Sequence, residues 1–583
     1  MKRKALVLFI ALTLAASSAF AANGSVKKKA GKKPVAAKTA TNTETAEELK
    51  LLKQKLSAAE NKMDSQQSQI DQLQQMLKQG IEAIQSQKTD VQSVSTQAAS
   101  AKQEAAQANA QVAEVKTAIA ASTETAKTTE KRVKDLEAPA TIHFRGVTLT
   151  PGGFLEASFI ARSRNENADV ANSYGGAPLD GTSNANLTEF RGTARASRMT
   201  LLAVSKAGGT TLSGYYEMDF LGAGPSSNQV QTNAFYPRLR QAWGQAELPG
   251  GWTVAAGQYW TLLTSNRKGI ALRSEFIPNV ADGNYSVGFN FVRQTAVRVT
   301  KKFSPLTTAA FEVANPEQTY SASFVPANIQ GLADDPNAAG GVLLSPYLKG
   351  YSAGQSTNVA PDLIAKVAFD PAFGHFELKA IGRIFRDRIA STANVPGDTN
   401  ISYGGGIGFG ATLPVVAKKV DVILEGLVGR GIGRYATGSM PDVTINPVTG
   451  KLLPLRAAHF MGGVEVHPNP KLDVYVYGGN EYTGRYDLSS LNGGATAGYG
   501  SRLTPYSNCR TNAEVSMNSC SGPNRDIYEV TGGFWYRFYK GPFGTLQYGN
   551  QFAYFHRSLW SGVGVAPTGN DAVGYSTIRF YLP

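Results

Sequence analysis

The chain has little of what soluble enzymes depend on. Two of its 583 residues are cysteine, Cys509 and Cys520, and five are histidine. His143, His375, His459, His467 and His556 are scattered without ligand spacing, so no metal site is expected. No G-x-S-x-G, P-loop or dinucleotide fingerprint stands in a strand-to-helix setting. The Gly404-Gly405-Gly406 run reads as close packing or strand kinking rather than a phosphate cradle. Neither a catalytic set nor a cofactor is expected. Past the N-terminus no run approaches the roughly 20 apolar residues that a membrane helix needs. Any crossing must therefore be made by strands, whose backbone groups are satisfied in hydrocarbon only when the sheet closes.

Aromatic residues are nearly absent between the N-terminus and residue 140 and abundant after it, so the two parts are read separately. The net charge of +14 divides equally between them. The basic residues of the second part are spread through strand patterns, which argues against a nucleic-acid partner.

Residues 1–22 have the form of a secretion signal. Lys2, Arg3 and Lys4 precede an apolar run from Ala5 to Leu14 and the small-residue site Ala19-Phe20-Ala21. Residues 23–46 are low in complexity, with Lys27, Lys28, Lys29, Lys32 and Lys33 clustered. They read as a disordered linker or as an electrostatic contact with anionic cell-wall or inner-membrane material. From Leu49 an apolar or small residue recurs every seventh position through Leu56, Met63, Ile70, Leu77, Ile84, Val91 and on to Val133. That period predicts a coiled coil over 47–137. The companion seam contains Gln66, Gly80, Gln87, Ser122 and Thr129, so it holds weakly per turn. Its role is open between an oligomer clamp and a spacer reaching toward peptidoglycan. Ala138-Pro139 ends the helix.

Residues 140–583 predict an all-β transmembrane barrel of about sixteen antiparallel strands. In Thr211–Phe220 one parity carries Leu212, Gly214, Tyr216, Met218 and Phe220 and the other carries Glu217 and Asp219. One face suits hydrocarbon and the other water. Similar stretches centre on 152–161, 197–206, 238–248, 253–263, 294–303, 307–315, 361–370, 374–386, 401–413, 420–433, 457–467, 471–485, 527–540, 544–560 and 574–583. Whether 142–150 extends the first strand or caps the barrel floor stays open. Short connections, such as Pro249-Gly250-Gly251 and Pro468-Asn469-Pro470, alternate with long ones. Outer-membrane barrels alternate in this way, with the short turns in the periplasm. The aromatic clusters Trp535-Tyr536, Phe538-Tyr539 and Tyr554-Phe555 suit interfacial girdles. An even cysteine pair in an exported chain predicts a Cys509–Cys520 disulfide that pins the loop 486–525.

A signal, a heptad helix and sixteen strands that include ASRMTLLAV around Arg198, RLRQAWGQAEL at 238–248 and AAGQYWTLLT at 255–264 resemble the DcaP-like family of trimeric outer-membrane porins. The phosphate-selective porins are similar in layout. Barrels of this kind usually end on an aromatic residue, whereas Phe580 and Tyr581 here precede Leu582-Pro583. The resemblance implies a homotrimer in outer-membrane lipid, no enzymatic activity, and passage of small anionic solutes of dicarboxylate type. It also implies that the loop 264–288 folds inward, with Arg267, Lys268 and Arg273 facing Glu275 or Asp282 across a constriction. Independently, Arg198, Arg238, Arg240, Arg298 and Arg383 lie in or beside strands. An arginine facing lipid at mid-depth costs roughly 2–4 kcal/mol, so these five are expected to line the pore, with Glu217, Asp219, Glu377, Asp421 and Glu425. A guanidinium ladder would favour carboxylates and phosphates; a transverse field between opposite charges is the other outcome. Two competing readings are an envelope tether, in which the basic stalk holds outer membrane to peptidoglycan, and a porin that prefers phosphate or sugar.

Overall fold

The computed structural model describes residues 75–76, 111–129, 141–166, 168–222, 232–233, 235–326, 329–330, 356, 358–391, 396–506, 509, 520 and 522–583. The expected signal at 1–22, the linker at 23–46 and the stalk outside 75–76 and 111–129 lie outside the described residues. The chain divides into two units, one spanning 26–139 and the other containing 140–583.

In the first unit, residues 111–129 are helical, and their less exposed side chains include the heptad positions Val112, Val115, Ile119, Ser122, Ala126 and Thr129. Thr117, Thr125 and Thr128 donate their hydroxyls to carbonyls four residues back. This satisfies polar groups on a helix rich in β-branched residues.

The second unit is a closed barrel of sixteen strands: β1 (Val147–Arg162), β2 (Arg198–Ala207), β3 (Thr210–Asp219), β4 (Arg238–Leu248), β5 (Trp252–Trp260), β6 (Arg293–Lys302), β7 (Thr307–Ala314), β8 (Asp362–Phe369), β9 (His375–Ile389), β10 (Asp398–Val416), β11 (Val420–Arg430), β12 (Arg456–Asn469), β13 (Leu472–Thr483), β14 (Asn524–Gly541), β15 (Gly544–Leu559) and β16 (Thr568–Tyr581). Each pairs antiparallel with its sequence neighbours. β1 closes the sheet, pairing with β2 from Val147↔Ser205 to Phe154↔Arg198 and with β16 from Phe154↔Tyr581 to Arg162↔Val573. The segment left open above thus resolves in two parts. Ile142–Phe144 makes a small hairpin against Val147–Leu149, while 147–150 belong to β1 itself. Phe580 and Tyr581 pair with Leu155 and Phe154 at the seam.

The side chains are distributed inside out relative to a soluble sandwich. In β8, Leu363, Ala365, Val367 and Phe369 are exposed while Asp362, Ile364, Lys366 and Ala368 are buried. Exposed residues are the apolar set and buried ones include the ions, which is stable only with hydrocarbon outside. Sixteen strands predict a water-filled channel rather than a packed core, but the interior is not simply water-filled. One buried apolar cluster joins Ile160, Tyr174, Trp260, Phe276, Tyr475 and Trp535. A second joins Tyr215, Trp243, Tyr259, Leu263, Leu427 and Tyr435. The aromatic clusters assigned to girdles therefore split by parity. Tyr536, Phe538, Tyr539 and Tyr554 are exposed, whereas Trp535 and Phe555 are buried in the interior. Close packing accounts for the glycine run in β10: a Cβ at Gly404 would lie 2.7 Å from the Phe385 ring, and one at Gly406 would lie 2.7 Å from the Val428 carbonyl oxygen.

Cys509 and Cys520 form a disulfide in the long connection between β13 and β14, packed with Leu179, Tyr506 and Leu559. Closing a loop of this length stabilises it by about 3 kcal/mol in the chain-entropy account. Reduction, or the double substitution to serine, is expected to speed proteolytic nicking of this loop while leaving the barrel's unfolding midpoint unchanged. Limited proteolysis with and without reductant measures this, and an equal nicking rate would refute it.

Candidate functional site

The connection from β5 to β6, residues 261–292, is the longest fully described one and is mostly buried. Groups on widely separated strands hold it, many through its backbone and others through the Ser265, Arg267 and Ser286 side chains. Lys366 of β8 and Lys379 of β9 donate to the Thr264 and Leu263 carbonyls at 2.6 and 2.8 Å. Glu377 of β9 accepts from the Asn266 amide at 2.9 Å. Asp370, in the β8–β9 turn, accepts from Gly269, and Gln551 of β15 accepts from Ala281. Glu529 of β14 takes the Val287 amide, Glu481 of β13 the Gly288 amide, and Glu425 of β11 the Asn290 amide. Anchors on β8, β9, β11, β13, β14 and β15 require the loop to cross the barrel interior.

The crossing loop leaves a cavity of about 360 Å³ between Ile277–Tyr285 and the wall made by β1, β2, β3, β4 and β16. Arg198, Glu217, Asp219, Arg240 and Arg579 line its wall side. Arg240 is fully buried. It donates to Glu217, to Asp219 at 2.8 Å and to the Tyr285 hydroxyl at 2.8 Å. Arg238 forms a two-pronged pair with Asp219 at 3.0 and 2.8 Å. Arg579 pairs with Glu156 and lies over the Phe154 and Trp535 rings. Arg198 is different: its contact with Glu217 is 3.7 Å, and its Nε has no hydrogen-bond partner.

A bulge opposite Glu217–Met218 explains how β4 supplies this set. Met218 pairs with Leu239 but Glu217 pairs with Gln241, leaving Arg240 as the extra residue. Arg240 and Gln241 are consequently both buried on the inner face, and Trp243 continues the shifted parity. The Leu239 and Arg240 carbonyls released by the bulge accept from the Gln258 side chain.

The five strand arginines are thus all on the inward parity, but they do not form an open ladder. Arg298 is sealed against Glu312 at 2.8 Å and the Trp260 carbonyl at 2.7 Å. Arg383 is sealed between Asp362 at 3.1 Å and Asp442 at 2.8 Å. Glu377 is fully buried beneath the loop with Lys366, Lys379 and His375. Arg298, Arg383 and Glu377 therefore do not reach open lumen. The constriction residues also differ from the expected pairing. Arg267 meets Glu465 of β12 at 2.9 and 2.8 Å rather than Glu275 or Asp282. Lys268 is exposed, and Arg273 lies over the Tyr215 ring at 4.8 Å. Glu275 is held in a bridge with Asn266. Asp282 is buried and accepts from Tyr174, Asn172 and Asn284. Burial outweighs these donors and pushes its carboxyl up to about 6. Tyr285 is shifted the other way. Burial would raise its hydroxyl, but the Arg240, Arg198 and Arg293 charges bring it down to about 8.

The anchoring residues Glu465, Glu481, Glu529 and Gln551, and the cavity residue Arg579, are not singled out by the sequence. Their signal was present: each sits on the buried parity of its strand. Asp421, Glu465 and His467 bring ligand-type atoms within 4.8 Å of one another. Both Glu465 oxygens are already taken by Arg267, and Nδ1 of His467 is hydrogen-bonded to Asp473. The group is built as an ion-pair network rather than as an open metal site.

Among solved structures, the outer-membrane channel DcaP of Acinetobacter baumannii superposes with a TM-score of 0.53 and 15% identity, over 76% of this chain and all of that one. The barrel has the fold of DcaP. An anion-selective porin from Comamonas acidovorans (11% identity, 75% of this chain and 100% of that one, TM-score 0.40) and OprB of Pseudomonas putida (12%, 74% and 94%, 0.41) superpose less closely and add nothing to that assignment. No protein-family model and no curated protein sequence matches the chain. In this DcaP-type barrel the loop after β5 crosses the interior.

Proposed function

We propose that the protein is an outer-membrane porin through which small anionic solutes, dicarboxylates among them, diffuse passively past the cavity between the loop 277–285 and the wall. The supporting observation is Arg198. It lines the cavity with a side chain one-quarter exposed and a loose 3.7 Å ion pair from Nη1 to Glu217, while its neighbours Arg240, Arg238 and Arg579 are neutralised by Glu217, Asp219 and Glu156. A carboxylate passing this point gains a forked guanidinium partner at little cost to existing pairs. The exposed Arg273 adds a second cation beside Tyr215. In this reading Arg267, Glu465 and Asp282 fix the loop, and selectivity rests on one or two arginines rather than a ladder. We assign the helix at 111–129 to a periplasmic coiled coil of a homotrimer, with its uninterrupted heptad as support.

The test is the reversal potential of purified protein in a planar bilayer under asymmetric salt. The wild type is expected to show an anion sign, and Arg198→Ala should lose most of it while still conducting. A cation sign in the wild type, or an unchanged potential in the variant, would defeat the assignment.

A further inference from the structure

The outward face of β9–β12 carries a charge pattern that diffusion through the lumen does not use. Arg430 and Arg456 are direct cross-strand partners in the β11–β12 ladder. Both are exposed and both are on the outward parity, in line with Leu424 and Val428 on β11 and Phe460 on β12. Like charges placed directly opposite each other on one face of a sheet are destabilising. Neither guanidinium has a carboxylate partner among the described residues. On β9, Arg386 and Arg388 occupy the same outward parity. Arg386 pairs with Ile401 and Arg430 with Gly405, so the β9 pair lies two outward positions nearer the long loops. Arg388 donates to the Thr399 hydroxyl at 2.9 Å. No aspartate or glutamate stands at an outward position of these four strands.

The height of the pair is informative. Arg430 is the last residue of β11 and Arg456 the first of β12. The pair therefore sits at the long-loop end of both strands, where outer-membrane barrels leave the apolar band. Two outward positions below them, past Val428 and Ala458, the Phe409 and Phe460 rings close over Gly426, where a Cβ would lie 2.8 and 2.7 Å from them. The result is an apolar surface with two aromatic rings, topped by guanidinium groups.

We propose that this sector binds a lipid with a phosphorylated headgroup in the leaflet on the long-loop side, the phosphate bridging Arg430 and Arg456 and the acyl chains lying on Phe409 and Phe460. Charge complementarity identifies the headgroup: four arginines without a carboxylate partner among the described residues favour an anion, and phosphate accepts two guanidinium forks at once. The apolar surface below selects a lipid over free phosphate. The inference rests on the barrel spanning a membrane, not on its solute preference.

Native mass spectrometry of the full-length protein in mild detergent, titrated with diphosphoryl lipid A, phosphatidylethanolamine or inorganic pyrophosphate, tests it. Diphosphoryl lipid A is expected to bind at least tenfold more tightly than phosphatidylethanolamine. Arg430→Gln/Arg456→Gln should remove that margin, and pyrophosphate should bind neither protein measurably. Single substitutions give an arm that does not depend on the double variant folding. In lipid-free detergent Arg430→Gln should unfold at a higher temperature than the wild type, because the facing charge is gone, and with lipid A present the order should reverse. Equal binding of both lipids, full retention of lipid A by the glutamine variants, pyrophosphate binding as tight as lipid A, or an unreversed order of stability would each overturn the proposal.

Discussion

Replacing Gly479 by alanine is expected to widen the channel more than any other single methyl group added to the barrel wall. A Cβ there would lie 1.7 Å from the Val287 carbonyl oxygen and 2.6 Å from its carbon, so one of the two backbones must move. β13 is paired along its length with β12 and β14, whereas Val287 belongs to a loop. The loop yields. Its displacement breaks the bonds from Val287 to Glu529 and from Gly288 to Glu481, leaving two buried carboxylates short of donors at roughly 1–3 kcal/mol each. Single-channel conductance should rise and solutes above the wild-type size limit should pass. Gly288→Ala, whose Cβ would lie 2.0 Å from the Phe460 carbonyl oxygen and whose φ is +83°, should act in the same direction. Wild-type conductance in both variants would show that the crossing loop does not set the bore.

The second large effect is expected at Arg240. This guanidinium meets Glu217, Asp219 and Tyr285 at once. Removing it leaves Asp219 with Arg238, and Glu217 with the loose contact to Arg198. Taking one partner out of a buried charge network typically costs 3–5 kcal/mol. Arg240→Ala should therefore lower the barrel's thermal midpoint and, because a carboxylate is then exposed to the cavity, move the reversal potential toward cations. Arg240→Lys should recover part of the charge but not the three-way geometry. A variant with unchanged selectivity would place the conducting path away from this cluster.

Most of the barrel was legible because its code is local. Alternation such as Leu363, Ala365, Val367 and Phe369 against Ile364 and Lys366 names a strand and its lipid face in eight residues. Connections of alternating length then fix the count. The inward direction of Arg198, Arg298 and Arg383 followed from the same parity. What parity cannot give is the partner across the lumen. Glu312 lies two strand positions from nothing that the sequence marks as basic, yet the β6–β7 register sets it opposite Arg298. The β4 bulge was also illegible, since nothing in RLRQAW announces that two consecutive residues will share a face. Arg267 was misjudged for a different reason. Its nearest acids in sequence are Glu275 and Asp282, but the loop's path brings it to Glu465, 198 residues away.

The loop's attachment has a consequence for how such a channel changes over time. The wall carboxylates grip peptide N–H groups, which every residue except proline supplies, so the clasp is indifferent to most of the side chains it holds. Residues 277–281, whose polar ties to the wall run through the Asn279 and Ala281 backbone, can then be exchanged with little disturbance to the fastening, and a new solute preference can be acquired by rewriting a five-residue insert in an otherwise unaltered frame.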